Sequence, residues 1–151
     1  MKRIPLTKGK FAIVDDEDFD KLSKYSWSVS TSRYAMRRTN KHKESKGIYM
    51  HRQILGARKG QEIDHIDRDG FNNQKSNLRF CTHSENMINV GMLKNNVSGA
   101  KGIHWSRWHK LWMDYIQKDK KRKYLGFFKN KQDAIYIRMR AEKLYYANMI
   151  L

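Results

Sequence analysis

Glu62-Ile63-Asp64-His65-Ile66-Asp67-Arg68-Asp69-Gly70-Phe71-Asn72-Asn73, followed by Asn77-Leu78-Arg79-Phe80-Cys81 and then Thr82-His83-Ser84-Glu85-Asn86, is the stretch that sets the fold around it. Glu62-Ile63-Asp64 should end a strand. Residues 67–77 should form a loop rich in Asp, Gly and Asn, and Leu78-Arg79-Phe80-Cys81 a second strand. Thr82 to Glu85 fits a capping box, with Thr82 as N-cap and Glu85 at the third helical position. His83 and Asn86 then lie three apart on one helical face. The expected order is strand, loop, strand, helix. It gathers carboxylate, imidazole and amide groups, the chemistry needed to hold a hard cation beside a phosphodiester and to activate water.

The rest of the chain suits a polyanionic partner. Its 151 residues carry 32 Lys and Arg against 15 Asp and Glu, a net charge of +17, and the pI is near 10.1. Such a field attracts nucleic acid and makes binding salt-dependent, although charge alone leaves DNA, RNA and anionic membrane open. With 39% hydrophobic and 12% aromatic residues the chain can form small packed cores and need not be disordered. Cys81 is the single cysteine, which excludes internal disulfides and Cys-rich zinc sites, fits a reducing interior, and reads as a small apolar packing residue. Met1 to Lys8 has charge with no apolar run after it, and no stretch approaches a membrane span. The expectation is a cytoplasmic protein with no membrane association and no obligatory protein partner.

Charge is uneven along the chain. Residues 1–97 hold 19 basic and 11 acidic residues, whereas residues 98–151 hold 13 and 4, so the last third is the denser electrostatic footprint. Lys94-Asn95-Asn96-Val97-Ser98-Gly99-Ala100 is small, polar and turn-prone. The expected organisation is a domain over 1–93, a linker at 94–99 and a second domain over 100–151. Short β-rich runs mark the first part: Phe11 to Val14, Trp27 to Val29, Tyr34 to Met36 and Ile48 to Met50. Asp15-Asp16-Glu17-Asp18 is read as the cap of a short helix carrying Phe19, Leu22 and Tyr25 at helical spacing.

Asp64-His65, Asn72-Asn73, Asn77-Leu78-Arg79 and Asn86, with Met50-His51-Arg52 upstream and Asn86-Met87-Ile88-Asn89 closing the run, resemble the HNH endonucleases. The closest likeness is to the branch of phage-type homing and mobile-element enzymes whose last motif position is Asn. The resemblance covers about residues 48–90 and implies a ββα-metal motif. It implies His65 as the general base that takes a proton from water. It implies Asp64 and Asn86 as ligands of one divalent cation, Mg²⁺ with Mn²⁺ as alternative; His83, on the same helical face as Asn86, is the alternative ligand to it. Asn77 would act indirectly, tying the loop that orients His65.

Asp67 and Asp69 flank Gly70 and read as loop formers, since the full calcium-loop pattern is absent. Asn72 and Asn73 read as partners of the loop's own backbone. His51 is open between support of the site, a phosphate contact and a packed strand histidine, and Arg52 is a candidate phosphate clamp.

In the last third, strand-like runs around the basic turn Lys118-Asp119-Lys120-Lys121-Arg122 suggest a hairpin. Alternation puts Trp112 and Asp114 on one face and Met113 and Tyr115 on the other. Trp112, Leu125 and Phe128 are expected to pack the sheet on a helix that begins near Asn130, with Ala134, Ile137, Ala141, Leu144 and Tyr145 at helical spacing. The runs Ser98 to Trp105, Leu111 to Ile116 and Lys123 to Phe128, with that helix, resemble the plant ethylene-response (APETALA-type) DNA-binding domain. That likeness implies a three-stranded antiparallel sheet packed on one helix and laid in the major groove of double-stranded DNA. Candidate contacts are Lys101, His104, Ser106, Arg107, Tyr115, Gln117 and Tyr124. His104, Ser106 and Gln117 stand where the plant pattern prefers arginine, so its target preference does not transfer.

The expected class is α+β, with a β-rich N-terminal region, a ββα-metal motif and a sheet-and-helix module. The expected function is metal-dependent DNA endonuclease, of nicking or homing type. The rivals are a sequence-specific DNA-binding protein with an inert motif and, less favoured, an RNA-binding protein.

Overall fold

Alternating apolar positions start the chain as two antiparallel strands, β1 (Lys2–Pro5) and β2 (Phe11–Val14), because Ile4, Ala12 and Val14 can then be buried together. The structure is a computed structural model that describes residues 1–39, 46–92, 96, 98–118 and 121–146. The chain divides into two units, Met1–Asn89 and Val90–Leu151.

In the first unit, helix α1 (Asp16–Leu22) places Asp16, Glu17 and Asp18 in its first turn, where the helix dipole favours carboxylates. Asp15 stands at the N-cap but makes no side-chain cap. Its oxygens instead accept from the Lys75 backbone N–H at 2.8 Å and from Gln74 Nε2 at 3.1 Å. The expected cap is therefore a tie between the helix and the loop before the second motif strand. Lys75 Nζ adds ion pairs to Glu17 at 2.5 Å and Asp18 at 3.2 Å.

Strands β3 (Ser28–Val29), β4 (Ala35–Arg38) and β5 (Gly47–Tyr49) form an antiparallel sheet in the order β3-β4-β5. Met50, expected to end a strand, instead begins helix α2 (Met50–Ile54). The core joins Ile4, Leu6, Ala12, Val14, Leu22, Trp27, Ala35 and Met50, and Trp27 Nε1 donates to the Leu22 carbonyl at 2.8 Å. Met50 is fully buried, so its truncation to Ala would cost about 2–5 kcal/mol.

The motif folds in the expected order. Strands β6 (Glu62–His65) and β7 (Leu78–Cys81) pair antiparallel with Asp64 opposite Arg79 and His65 opposite Leu78, and helix α3 (His83–Asn89) follows. The capping box closes: Thr82 N–H donates to Glu85 Oε2 at 2.6 Å, and Glu85 N–H donates to Thr82 Oγ1 at 3.3 Å. The long loop is docked on β2, where Ile13 N–H donates to the Phe71 carbonyl at 2.8 Å and Asn73 N–H to the Ile13 carbonyl at 2.7 Å. The N-terminal platform thus fixes the loop that follows His65.

The second unit is an antiparallel sheet in the order β10-β9-β8, built from β8 (Ile103–Ser106), β9 (Leu111–Lys118) and β10 (Lys121–Phe128), with helix α4 (Lys131–Tyr145) on one face. Asn130 caps α4 by accepting from Gln132 N–H at 2.9 Å. Ile103, Asp114, Ile116, Ala134 and Ala141 are buried on the helix side, whereas Trp112, Leu125 and Phe128 are half-buried. Arg138 of α4 lies 3.5 Å from Asp114, whose pKa burial raises against that positive charge, and donates to the Tyr115 carbonyl. Gly102 has φ 81°, and a Cβ there would meet the Tyr115 carbonyl oxygen at 2.6 Å, so the turn into β8 requires glycine.

Leu144 departs from expectation: it is 78% exposed. The buried line runs through Ala134, Arg138 and Ala141, and at about 100° per residue Leu144 has turned roughly 80° away from it. Residues 94, 95 and 97 of the expected linker, and Asp119 and Lys120 of the expected basic turn, lie outside the described residues. No described helix is long and apolar enough to cross a membrane.

Candidate active site

Strand alternation puts Glu62 and Asp64 on one side of β6, and α3 covers that side with its amides. Asp64 and His65 are buried, at 6% and 4% exposure. Asp64 Oδ2 accepts from Arg79 Nη2 at 2.9 Å and Nε at 3.1 Å, and its Oδ1 accepts from Asn89 Nδ2 at 2.9 Å. Asn89 Nδ2 also reaches the His65 carbonyl at 2.8 Å, so one amide bridges both motif residues. Asn86 Nδ2 donates to Glu62 Oε2 at 3.0 Å, and His83 Nδ1 sits 3.0 Å from Glu62 Oε1. The Asn86 hydrogen bond, ahead of that from His83, holds the Glu62 carboxyl below its usual range despite some opposing burial.

The imidazole of His65 is enclosed by rings. Tyr34 stacks on it at 5.4 Å between centroids, and His51 meets it edge-on at 5.0 Å. Burial lowers the His65 pKa below 6.5, outweighing Asn73 and the Asp67, Asp64 and Asp69 carboxylates, so its neutral form is favoured near pH 7. His51 stands in the first turn of α2, stacked on Tyr49 at 5.6 Å, and its Nδ1 is buried without a hydrogen bond. Burial, followed by the proximity of His65 and Arg52, pushes its pKa down to about 4. Arg52 donates from Nη1 to the Gln61 carbonyl and from Nη2 to the Arg58 carbonyl, both at 2.7 Å, which braces the approach to β6.

The loop is held by its own polar groups. Asn77 Oδ1 accepts from Asp67 N–H at 3.0 Å, its Nδ2 donates to Asp67 Oδ1 at 2.9 Å and the Asn72 carbonyl at 2.8 Å, and its carbonyl accepts from Ile66 N–H at 2.9 Å. Asn77 therefore clamps the residues that directly follow His65. Asp69 Oδ1 accepts from Phe71 N–H, and Asn73 Nδ2 donates to the Gly70 and Phe71 carbonyls. Cys81 is raised to about 11 chiefly by burial, a thiol poorly suited to nucleophilic work.

A cavity of about 240 Å³ opens between these elements, lined by Tyr34, Tyr49, His51, Arg52, Glu62 and Asn86 among others. His65 lies directly behind two of its walls, Tyr34 and His51. Among the described residues no three His, Cys, Asp or Glu side chains converge as metal ligands. Asp64, Glu62 and the amide of Asn86 nevertheless supply oxygen donors on one side of β6, which fits a hard cation better than a soft one. Residues 51–88 match the HNH endonuclease family.

Two viral proteins are similar to this chain. Protein 3.8 of Escherichia phage T7 is 43% identical over 54 residues, 36% of this chain and 45% of that protein. An "Uncharacterized HNH endonuclease" of Acanthamoeba polyphaga mimivirus is 32% identical over 98 residues, 64% of this chain and 50% of that protein. The chain thus spans about half the length of these curated relatives. No solved structure gives a significant match. Two polar residues that bond the candidate site were not singled out in the sequence, Glu62 and Asn89. Glu62 was signalled by its place two residues before Asp64 on the same strand face, and Asn89 by its place three after Asn86 on the helix.

In the second unit, the sheet face opposite α4 carries four of the candidate DNA contacts. His104, Tyr115 and Tyr124 touch in series, with ring centroids 5.8 Å and 6.4 Å apart, and Arg122 lies over Tyr115 at 4.2 Å. Gln117 pairs with Arg122 in the register. Ser106 and Arg107 sit where β8 turns into β9, and Ser106 Oγ is 3.0 Å from His109 Nδ1. Lys101 Nζ donates to the Val90 carbonyl at 3.0 Å.

Proposed function

We propose that this protein is a metal-dependent DNA endonuclease in which the first unit cuts and the second unit grips the duplex. One observation carries the reading: a neutral, ring-enclosed His65 stands beside the Asp64 carboxylate at the end of β6, with the amides of α3 across from it. His65 takes the proton of the attacking water, a role its lowered pKa suits at neutral pH. Asn89 holds the His65 carbonyl and Asn77 the backbone N–H groups of Ile66 and Asp67 that follow it. Asp64 and the Asn86 side-chain oxygen would hold one divalent cation, Mg²⁺ or Mn²⁺, with His83 as the alternative ligand to Asn86. Such a cation neutralises charge on the scissile phosphate and the leaving oxygen. His51 lines the cavity and Arg52 braces its rim.

The exposed face with His104, Tyr115, Gln117 and Tyr124, together with Lys101, Ser106 and Arg107, is the proposed recognition surface. Its arrangement resembles the APETALA-type sheet. A single motif per chain cuts one strand per binding event, so a nick is the expected product unless two copies assemble. The rival, a DNA-binding protein with an inert motif, has one observation in its favour: both Asp64 oxygens are already engaged, by Arg79 and Asn89.

Supercoiled plasmid separates the two. The endonuclease reading expects relaxed circles with Mg²⁺, none in chelator and none from His65→Ala. Cutting that survives in chelator or in the variant overturns the mechanism, and binding without cutting on any DNA supports the rival.

A further inference from the structure

Beside the cleft lies a second and larger cavity, of about 580 Å³, and Ser32 and Tyr34 line both. Tyr34 is the ring that stacks on His65, so the second cavity begins at the wall of the candidate base. Lys10, Arg33 and Arg68 stand around it. Lys10 and Arg33 are exposed, and neither side chain has a hydrogen-bond or ion-pair partner among the described residues.

The two carboxylates of the same wall, Asp67 and Asp69, are tied into their own loop and leave Lys10 and Arg33 unpaired among the described residues. Asp67 spends its oxygens on Asp69 N–H, Asn77 Nδ2 and Asn72 Nδ2, and Asp69 turns Oδ1 to Phe71 N–H. The hydrogen bonds hold the Asp67 carboxyl ionised, lowering its pKa against the opposing effect of burial. Three cationic side chains thus stand against two carboxylates bound into their own loop, over a floor containing Tyr34 and Phe71. The floor is also closely packed. A Cβ on Gly70 would lie 2.5 Å from the Arg33 carbonyl oxygen and 2.6 Å from the Tyr34 ring, so the two loops can meet only through glycine.

We infer that this groove holds the sugar-phosphate backbone of duplex DNA on one side of the cleaved bond, with Lys10 and Arg33 each meeting a phosphate. The position of the cleaved bond rests on the endonuclease reading; the backbone contact does not. Arginine offers a planar fork and lysine a point charge to phosphate oxygens, and such contacts set register without reading sequence. The groove would give the cutting unit its own grip on the strand, separate from the sheet face of Val90–Leu151.

The test is duplex affinity of the full chain in chelator, measured against salt concentration. For Lys10→Gln/Arg33→Gln the log-log slope should become shallower by about 1.8, which is 0.9 for each lost phosphate contact, whereas Lys10→Arg/Arg33→Lys should keep the wild-type slope. Arg33 has φ 61°, so Lys10→Gln/Arg33→Gly is a second neutral variant that its backbone accepts, and thermal unfolding checks that each variant folds. An unchanged slope in both neutral variants overturns the groove. So does a pocket that inorganic phosphate fills, seen as a shifted Arg33 guanidinium resonance, while duplex DNA leaves that resonance in place. Cleavage alongside an unchanged slope removes the groove alone; the full slope change in a protein that never cuts removes the nuclease alone.

Discussion

In Met1–Asn89, Asp64 accepts from Arg79 at 2.9 Å across β6 and β7; in Val90–Leu151, Asp114 lies 3.5 Å from Arg138 between sheet and helix. The two pairs share their chemistry and differ in what surrounds them. Asp114 is fully buried, with Arg138 as its charged partner, and the exposed aromatic face lies on the other side of its sheet. Asp64 adjoins His65 and an α3 amide, and the Arg79 side chain is 28% exposed. One unit encloses the polar groups suited to chemistry; the other encloses a structural pair and turns its candidate contacts outward.

The largest effect should come from breaking these pairs. Asp114→Ala takes one carboxylate from beside the buried Arg138 guanidinium, which keeps Glu142 at 2.8 Å and the Tyr115 carbonyl, so urea unfolding of the second unit should show a loss of about 3 kcal/mol, the low end for a buried ion pair that loses one partner. Asp64→Ala should cost clearly less, because Arg79 can turn to water, yet it should abolish cleavage. Equal destabilisation with cleavage intact would erase the contrast.

Acid should separate the units next. The His51 pKa falls from 6.5 to about 4 on folding, so between those values the unfolded chain binds a proton that the folded chain refuses. Stability therefore falls as pH drops through that window, by about 3 kcal/mol in full at 1.36 kcal/mol per pKa unit. His51→Phe should lessen this acid sensitivity of the first unit and leave the part that the lowered His65 pKa contributes, as read from unfolding midpoints at pH 7 and pH 4.

Asn89→Ala sharpens the cleft side. Loss of the amide that bridges Asp64 and the His65 carbonyl should lower the cleavage rate by roughly 10- to 100-fold with DNA affinity unchanged. The smallest effect belongs to the open face: Arg122→Gln should make the salt slope of duplex binding shallower by about 0.9 while the rate at saturating protein stays the same.

The sequence made the local parts of this picture legible. Thr82 and Glu85 announced α3, and alternation put Asp114 and Tyr115 on opposite faces of β9. Asp67 and Asp69 bond within their own loop as their turn chemistry implied. What escaped depends on residues far apart in the chain. Asp15 binds Lys75, and Ile13 exchanges hydrogen bonds with Phe71 and Asn73, contacts that no local period encodes. Arg138 also broke the apolar pattern of α4, because the charge of Asp114 across the interface draws it inward. In the site, Asp64 and His65 were legible as a pair, while the distribution of α3 amides was not. Asn86 reaches Glu62 and Asn89 reaches Asp64, a pairing fixed by how α3 lies along β6.

In the proposed division of labour Met1–Asn89 cuts and the sheet face of Val90–Leu151 supplies most of the grip. The most direct test of this division is a single labelled duplex on which affinity and single-turnover cleavage at saturating protein are measured together, for His65→Ala and for Tyr115→Ala/Arg122→Gln. His65→Ala should bind as the wild type does and cut at least 100-fold more slowly, about the lower bound for a lost general base, while the sheet-face variant should bind weakly and cut at the wild-type rate once saturated. Cleavage by His65→Ala at the wild-type rate would contradict this division.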